Sequence, residues 1–249
     1  MEELKGNLKP APPVETNEAV WKHSKTKLFT SGLKALSAAL PGKGKLLDIG
    51  CGFGYFPDLA YKDGWSAEGL EIEPTAAAYA IDHYKLKIYP RPISEENISD
   101  ATYDAVTMWG VIEQLPDPTA ELKEIYRILK PGGILYIRSY NFAFHRMLLS
   151  LYRVLPLYLI KMKPLILHAY NFTRKSMTKM LSDNGFSNIS IRNSTATSGD
   201  PYSTGGAAGR HFVEVAKISI FLLSQLLAAL TLGRLLLSSS LISVARKPK

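Results

Sequence analysis

Apolar positions change their period several times along the chain. From about Asn17 a helical pattern opens in which Trp21, Leu28, Phe29 and Leu33 share one face, and Pro41-Gly42 closes it. Short apolar runs then alternate with amphipathic stretches. Strands are predicted at Lys45–Ile49, 67–71, Tyr103–Trp109 and 134–139, with a weak extended run around Ile88. Helices are predicted at 55–63, 74–86 and 118–129, the last stopped by Pro131-Gly132-Gly133. Strand-helix alternation of this kind calls for an α/β fold, a doubly wound, mostly parallel sheet covered on both faces.

The alternation lapses after Asn141, where a Leu- and Tyr-rich stretch carries His145, Arg146, Arg153, Lys161 and Lys163. It resumes at Thr173, a predicted N-cap for a helix over 173–184 that Asn184-Gly185 ends, followed by a strand at 188–192. A Gly/Ser/Thr-rich loop, a long apolar stretch from Phe212 to Leu237, a last strand at 240–245 and a basic tail complete the chain. The organisation expected is a flexible leader over 1–16, with Pro10, Pro12 and Pro13 and no signal-peptide pattern, and a single domain over 17–249. Two insertions, 142–168 and 193–239, decorate that domain.

Composition changes this picture little. Of the 249 residues 46% are hydrophobic and 21% charged, enough apolar surface for one sizeable core. The net charge of +8 favours acidic partners without choosing among nucleic acid, anionic lipid and phosphorylated substrates. With Cys51 as the only cysteine, no intrachain disulfide and no cysteine-based metal cluster can form, and the expected setting is a reducing cytoplasm.

Candidate chemistry concentrates in Leu46-Leu47-Asp48-Ile49-Gly50-Cys51-Gly52-Phe53-Gly54, an apolar strand running into a G-x-G-x-G turn and then a helix. Glycines let the backbone approach a ligand and adopt conformations a Cβ forbids. The dinucleotide pattern is G-x-G-x-x-G, but Tyr55 stands where its third glycine would fall and an acid precedes the glycines. Asp48 would repel a pyrophosphate and suits a ligand that carries an ammonium group. Glu71 ends the next predicted strand, where a carboxylate can accept hydrogen bonds from both hydroxyls of a ribose. Glu73 is expected to face solvent or to cap the helix that starts at Pro74-Thr75.

With these segments the chain resembles the class I S-adenosylmethionine-dependent methyltransferases. It is similar to a bacterial subgroup that carries a Glu-His pair and a Lys-Pro-Gly-Gly segment, matched here from Tyr103-Asp104-Ala105 through Ile112-Glu113-Gln114-Leu115-Pro116-Asp117-Pro118 and by Leu129-Lys130-Pro131-Gly132-Gly133. The resemblance implies a seven-stranded Rossmann-like sheet with its last strand antiparallel and helical lid insertions. It implies S-adenosylmethionine as cofactor, with Asp48, Gly50, Cys51, Gly52 and Gly54 along the methionine part, Glu71 on the ribose, Ile72 beside the adenine, Ser94 on the adenine side after the third strand, and Trp109 opening the loop after the fourth. Gln114 departs from the subgroup's His, so no acid, base or metal role of that His transfers, and no metal is expected.

Methyl transfer requires an acceptor aligned with the methyl carbon, and a hydroxyl acceptor also benefits from a base. His168 is the candidate base, with Tyr170 beside it, because both precede a helix that should start above the carboxyl edge of the sheet. The expected acceptor is a hydroxyl of a lipid-linked saccharide, a prenylated phenol or another small molecule; the alternative is a non-catalytic protein of the same fold, peripherally associated with membrane. Nucleic acid is a disfavoured partner, since no Asn/Asp-Pro-Pro-Tyr segment follows the fourth strand. No charge interrupts the chain between Lys217 and Arg234, too short a run to span a bilayer. It reads either as a buried cover helix or as an interfacial helix on an anionic membrane surface, which would place the protein at the inner face of the membrane.

Overall fold

The computed structural model describes residues 14–154, 168–195, 218–219 and 221–249. Helix α1 (Val14–Ala39) leads into β1 (Lys45–Ile49), α2 (Tyr55–Lys62), β2 (Ser66–Leu70), α3 (Pro74–Tyr84), β3 (Ile88–Tyr89), β4 (Tyr103–Trp109), α4 (Pro118–Ile128) and β5 (Leu129–Tyr140). Beyond these come α5 (Phe142–Val154), α6 (Arg174–Asp183), β6 (Ser187–Asn193), a helix over 221–230 that we label α7, and β7 (Ser240–Arg246). The strands form one seven-stranded sheet in the order β3-β2-β1-β4-β5-β7-β6. β1 to β5 are parallel, and β7 runs antiparallel between β5 and β6.

Alternation along the central strands divides the core in two, because successive side chains leave a strand on opposite faces. Leu47, Ile49, Val106, Met108, Leu135 and Ile137 meet Leu122, Ile125 and Ile128 of α4 and Met177 and Leu181 of α6. On the other face Leu46, Ala105, Ile134 and Tyr136 meet Leu28, Phe29, Leu33 and Leu36 of α1 and Phe56 and Ala60 of α2. Trp21, the remaining member of the α1 pattern, lies outside the described side chains. β1 is buried on both faces from Leu46 to Ile49, Asp48 included.

The boundaries agree with the hydrophobic pattern, with instructive exceptions. Helix α1 begins at Val14, so the last residues assigned to the leader are helical; residues 1–13 lie outside the described residues. α4 ends at Ile128, just before the Lys130-Pro131-Gly132-Gly133 segment as expected, and the segment itself lies within β5, where the pairing with β4 shifts register between Leu129 and Ile134. Its amides turn to the chain's end instead: Gly132 donates to the Lys247 carbonyl at 2.9 Å and Lys247 to the Gly133 carbonyl at 3.0 Å. Of the first insertion, 142–154 form α5 and 155–167 lie outside the described residues; of the second, 196–217 lie outside and α7 falls in the remainder.

In this order the chain reverses direction of growth between β1 and β4, since β2 and β3 build outward on one side and β4 and β5 on the other. Open α/β sheets bind ligands in the crevice that such a switch leaves at the carboxyl ends of the strands. Both the glycine loop after β1 and the segment after β4 open onto it.

Candidate active site

Beginning at the β1 end, the loop 50–54 is fastened strand by strand. The Gly50 and Cys51 amides both donate to the Leu70 carbonyl, at 2.8 and 3.1 Å, and the Gly52 amide donates to Glu71 Oε2 at 2.8 Å. Glu71 Oε1 accepts from the Glu73 amide at 2.9 Å. Each carboxylate oxygen therefore holds one backbone donor and keeps a lone pair to offer. Glu73 caps α3, accepting from Thr75 and Ala76, and this holds its own carboxyl below the usual range.

Gly50, Gly52 and Gly54 all adopt positive φ, +67, +55 and +81°, yet they serve different ends. A Cβ on Gly50 would lie 2.5 Å from the Val111 side chain, and one on Gly54 would lie 2.7 Å from that of Ala80, so these two allow close packing of the loop on its neighbours. A Cβ on Gly52 would meet nothing within 4 Å. Open space at the one unfilled glycine of these three, flanked by the Glu71 carboxylate, is a cradle. Ile72, 62% exposed, forms an apolar rim beside it. Ser94 is exposed on the short turn Ile93–Glu95 after β3.

Asp48 lies beneath the loop, 1% exposed, and accepts a 2.6 Å hydrogen bond from the Thr107 hydroxyl. Burial pushes its carboxyl well up; the Thr107 bond and the Lys25 ammonium oppose this, and the Glu71 charge adds to it. Lys25 in turn is pushed down to about 7 by burial and by Arg138, with Asp48 opposing. A carboxyl group so placed gains from any further cation brought to the crevice. The Cys51 thiol, half-buried, is pushed up by burial and by the charges of Asp48 and Glu71, and stays protonated.

On the β4 side the indole of Trp109 packs against Phe29, Phe56 and Tyr136 at ring separations of 4.8, 4.8 and 5.2 Å. Ala105 and Thr107 lie on the same side of the strand, so strand alternation directs the indole toward α1. A Cβ on Gly32 of α1 would come within 2.5 Å of the ring, which shows how closely the two elements approach.

His168 reaches the same end of the sheet from a distant part of the chain. Its ring stacks on Tyr140, the last residue of β5, with centroids 4.6 Å apart and planes at 20°. The segment that carries it is pinned to the β4 loop: the Tyr170 amide donates to the Glu113 carbonyl at 3.0 Å, and the Tyr170 hydroxyl to the Pro116 carbonyl at 3.0 Å. Glu113, 1% exposed, accepts from the Tyr140 amide at 3.3 Å through Oε1. Its Oε2 and the Nε2 of His168 are both buried without a hydrogen-bond partner among the described residues. Burial raises the Glu113 carboxyl, and the nearby His168 and Arg138 pull it back. Sequence reasoning quoted Glu113 as part of a pattern and assigned it no role. Nothing local marks it, because its neighbours Tyr140 and His168 are brought to it only by the fold. Among the described residues no group of three or more His, Cys, Asp and Glu is placed to hold a metal ion.

Comparison with known proteins identifies the family of the chain. The chain is 30% identical over 149 residues to a ubiquinone biosynthesis O-methyltransferase of Methylococcus capsulatus, covering 57% of this chain and 62% of that protein. It is 31% identical over 110 residues to the protein of the same description in Pseudomonas aeruginosa, 42% of this chain and 47% of that one. The chain thus matches about half to three fifths of these relatives' own length. A solved S-adenosylmethionine-dependent methyltransferase of Thermotoga maritima shares the fold at a TM-score of 0.57 and 17% identity, over 94% of this chain and 96% of that one. The phosphoethanolamine N-methyltransferase 2 of Haemonchus contortus, solved with S-adenosyl-L-methionine, does so at 0.59 and 17%, over 98% of this chain and 61% of that one. Residues 20–191 match the family described as methyltransferase domain, and the chain belongs to that family as an S-adenosylmethionine-dependent methyltransferase.

Proposed function

We propose that the chain methylates a hydroxyl of a small or lipid-linked acceptor, with His168 as general base and Glu113 beside it as a second contact for the acceptor. The observation that carries this reading is the coincidence of two buried, unpartnered polar atoms, Glu113 Oε2 and His168 Nε2, at the carboxyl ends of β4 and β5. Buried polar groups are normally satisfied, and two orphans close enough for His168 to act on the Glu113 carboxyl offer a place for a ligand's polar atoms. The ubiquinone biosynthesis relatives are O-methyltransferases by description, which agrees with a hydroxyl acceptor.

The residues across the crevice fit the cofactor. Gly52 leaves room where a side chain would stand, Glu71 keeps a lone pair on each oxygen for the two ribose hydroxyls, and Ile72 offers an apolar surface to the adenine. Asp48 provides negative charge for the cofactor's ammonium group, and Gly50, Cys51 and Gly54 shape the loop around its methionine part. Ser94 stands on the adenine side. Trp109 is assigned to the wall shared with α1, its indole being packed there. When bound, the cofactor supplies an electrophilic methyl group on a sulfonium.

Every other part of the reaction falls to the chain's own residues. With its proton on Nδ1, His168 would accept the acceptor's hydroxyl proton at Nε2, which leaves the acceptor oxygen free to take the methyl group the bound cofactor would supply. Stacking on Tyr140 fixes the imidazole plane, and the two Tyr170 hydrogen bonds fix the height of its segment above the sheet. Glu113, held by the Tyr140 amide, accepts a hydrogen bond from the acceptor or from the protonated imidazole. Transfer of a tritiated methyl group to a geranyl-substituted dihydroxyphenol tests the reading. The wild type should label the phenol oxygen, and a folded His168→Ala variant that labels it as fast as wild type would remove the base from the mechanism.

A further inference from the structure

Helix α7 is inside out. Ser224 is its buried residue, 1% exposed, bonded through its hydroxyl to the Phe221 carbonyl and through its carbonyl to Asn193 Nδ2 at 2.9 Å. Leu222, Leu223, Leu226 and Leu230 project outward at 56–71% exposure. A helix on a water-facing surface does the reverse, turning its leucines to the core. The stripe continues past the helix into Leu232, 89% exposed and held at φ +49°, and Leu235. Left-handed backbone is costly for leucine, so the turn spends conformational energy to present an apolar side chain to solvent.

Beside these leucines lies an open groove of about 590 Å³ lined by Arg174, Lys175 and Lys179 of α6 and by Arg234 of the following turn. Arg174 fastens the two sides, donating to the Gly233 carbonyl at 2.7 Å. The groove holds one carboxylate, Asp183, and that is paired with Lys179 at 2.8 Å. Apolar side chains bordered by four cations against one carboxylate match the boundary between acyl chains and anionic headgroups. No described helix is long and apolar enough to cross a membrane, so the match is to a surface that lies on a bilayer.

We propose that the leucine face of α7 and the adjoining basic groove form a docking surface for an anionic lipid bilayer, with lipid phosphates in the groove and the leucines among the acyl chains. The proposal is independent of the acceptor and of the base assigned above. It stands on an inverted helix and on charge, two observations that concern neither the crevice nor methyl transfer.

Flotation of the full chain with vesicles tests it. Wild type should float at least about tenfold more with vesicles of phosphatidylcholine carrying about 30% phosphatidylglycerol than with phosphatidylcholine alone, and less as salt rises. A Leu223→Ser/Leu226→Ser/Leu230→Ser variant should lose binding to both. A Lys175→Gln/Lys179→Gln/Arg234→Gln variant, which leaves the Arg174 tie in place, should lose the preference for anionic lipid. Circular dichroism and calorimetric binding of S-adenosylmethionine should be unchanged in both variants. Wild type that stays at the bottom of the gradient with anionic vesicles at low salt overturns the proposal. So does light scattering that shows a dimer which the leucine variant converts to monomer without any vesicle binding, for then a second copy covers the face.

Discussion

The two sides of the crevice are built in different ways. On the β1–β2 side every group that frames the cradle comes from a short piece of chain, the loop 50–54 and the strand end at Glu71, joined by hydrogen bonds from three successive amides. On the β4–β5 side the pair of Glu113 and His168 is assembled from separate segments that meet at Tyr140. The first side is a property of adjacent strand ends in a parallel sheet and tolerates little change. The second depends on where the 168–172 segment is anchored, and this is the side on which chain insertions sit. On the function proposed above, cofactor recognition and acceptor recognition are separable, and substitutions on one side should leave the other working.

The largest effect that would sharpen this division is expected at Gly52. Gly52→Val should abolish measurable cofactor binding, because its branched side chain would fill the cradle, while a circular dichroism spectrum stays that of the folded protein. Gly54 is its counterpart: Gly54→Ala places a Cβ 2.7 Å from that of Ala80 and should cost about 3 kcal/mol of stability, against about 1 kcal/mol for Gly52→Ala, by denaturant titration. Equal losses of stability at the two sites would mean that both glycines serve packing.

On the acceptor side, His168→Ala should lower the methylation rate at least about 100-fold, with Glu113→Gln lowering it less, and the double variant should be no slower than His168→Ala alone. Strictly additive losses would show that the two groups act apart. Glu71→Ala should weaken cofactor binding by about 1.5–3 kcal/mol and leave the rate at saturating cofactor near that of wild type.

The smallest expected effect concerns α4, which packs beneath the acceptor side without lining it. Glu121 is pushed up to about 7 by burial and by the charge of Glu124. A carboxyl raised in the folded state contributes stability that is complete below its unfolded value, about 4.5, and is lost as pH rises through about 7. Wild type should therefore lose thermal stability relative to Glu121→Gln between those pH values, with unchanged activity. A parallel pH dependence in the two proteins would show that Glu121 is solvated.

How far the sequence could be read follows the same division. The β1–β2 side was legible because its parts are adjacent in the chain and carry strong local constraints, three positive-φ glycines and a strand-end acid. Strand alternation alone could have turned Trp109 toward α1, since it shares a side with Ala105 and Thr107. The pairing of Glu113 with His168 could not be read, because the approach depends on Tyr170 bonding to the 113–116 segment. The apolar run before β7 left two readings open, and hydropathy could not choose between them. In the structure its buried position is Ser224, whose carbonyl accepts from Asn193, and Leu222, Leu223, Leu226 and Leu230 are exposed.

The most direct test of the division is calorimetric titration of S-adenosylmethionine into Glu71→Ala and His168→Ala side by side, with the rate of phenol methylation measured on the same preparations. The account predicts that Glu71→Ala shifts the dissociation constant by about one to two orders of magnitude and that His168→Ala leaves it unchanged while removing most of the rate. A His168→Ala protein whose cofactor affinity falls as far as its rate, or a folded Glu71→Ala protein that binds the cofactor as wild type does, would contradict it.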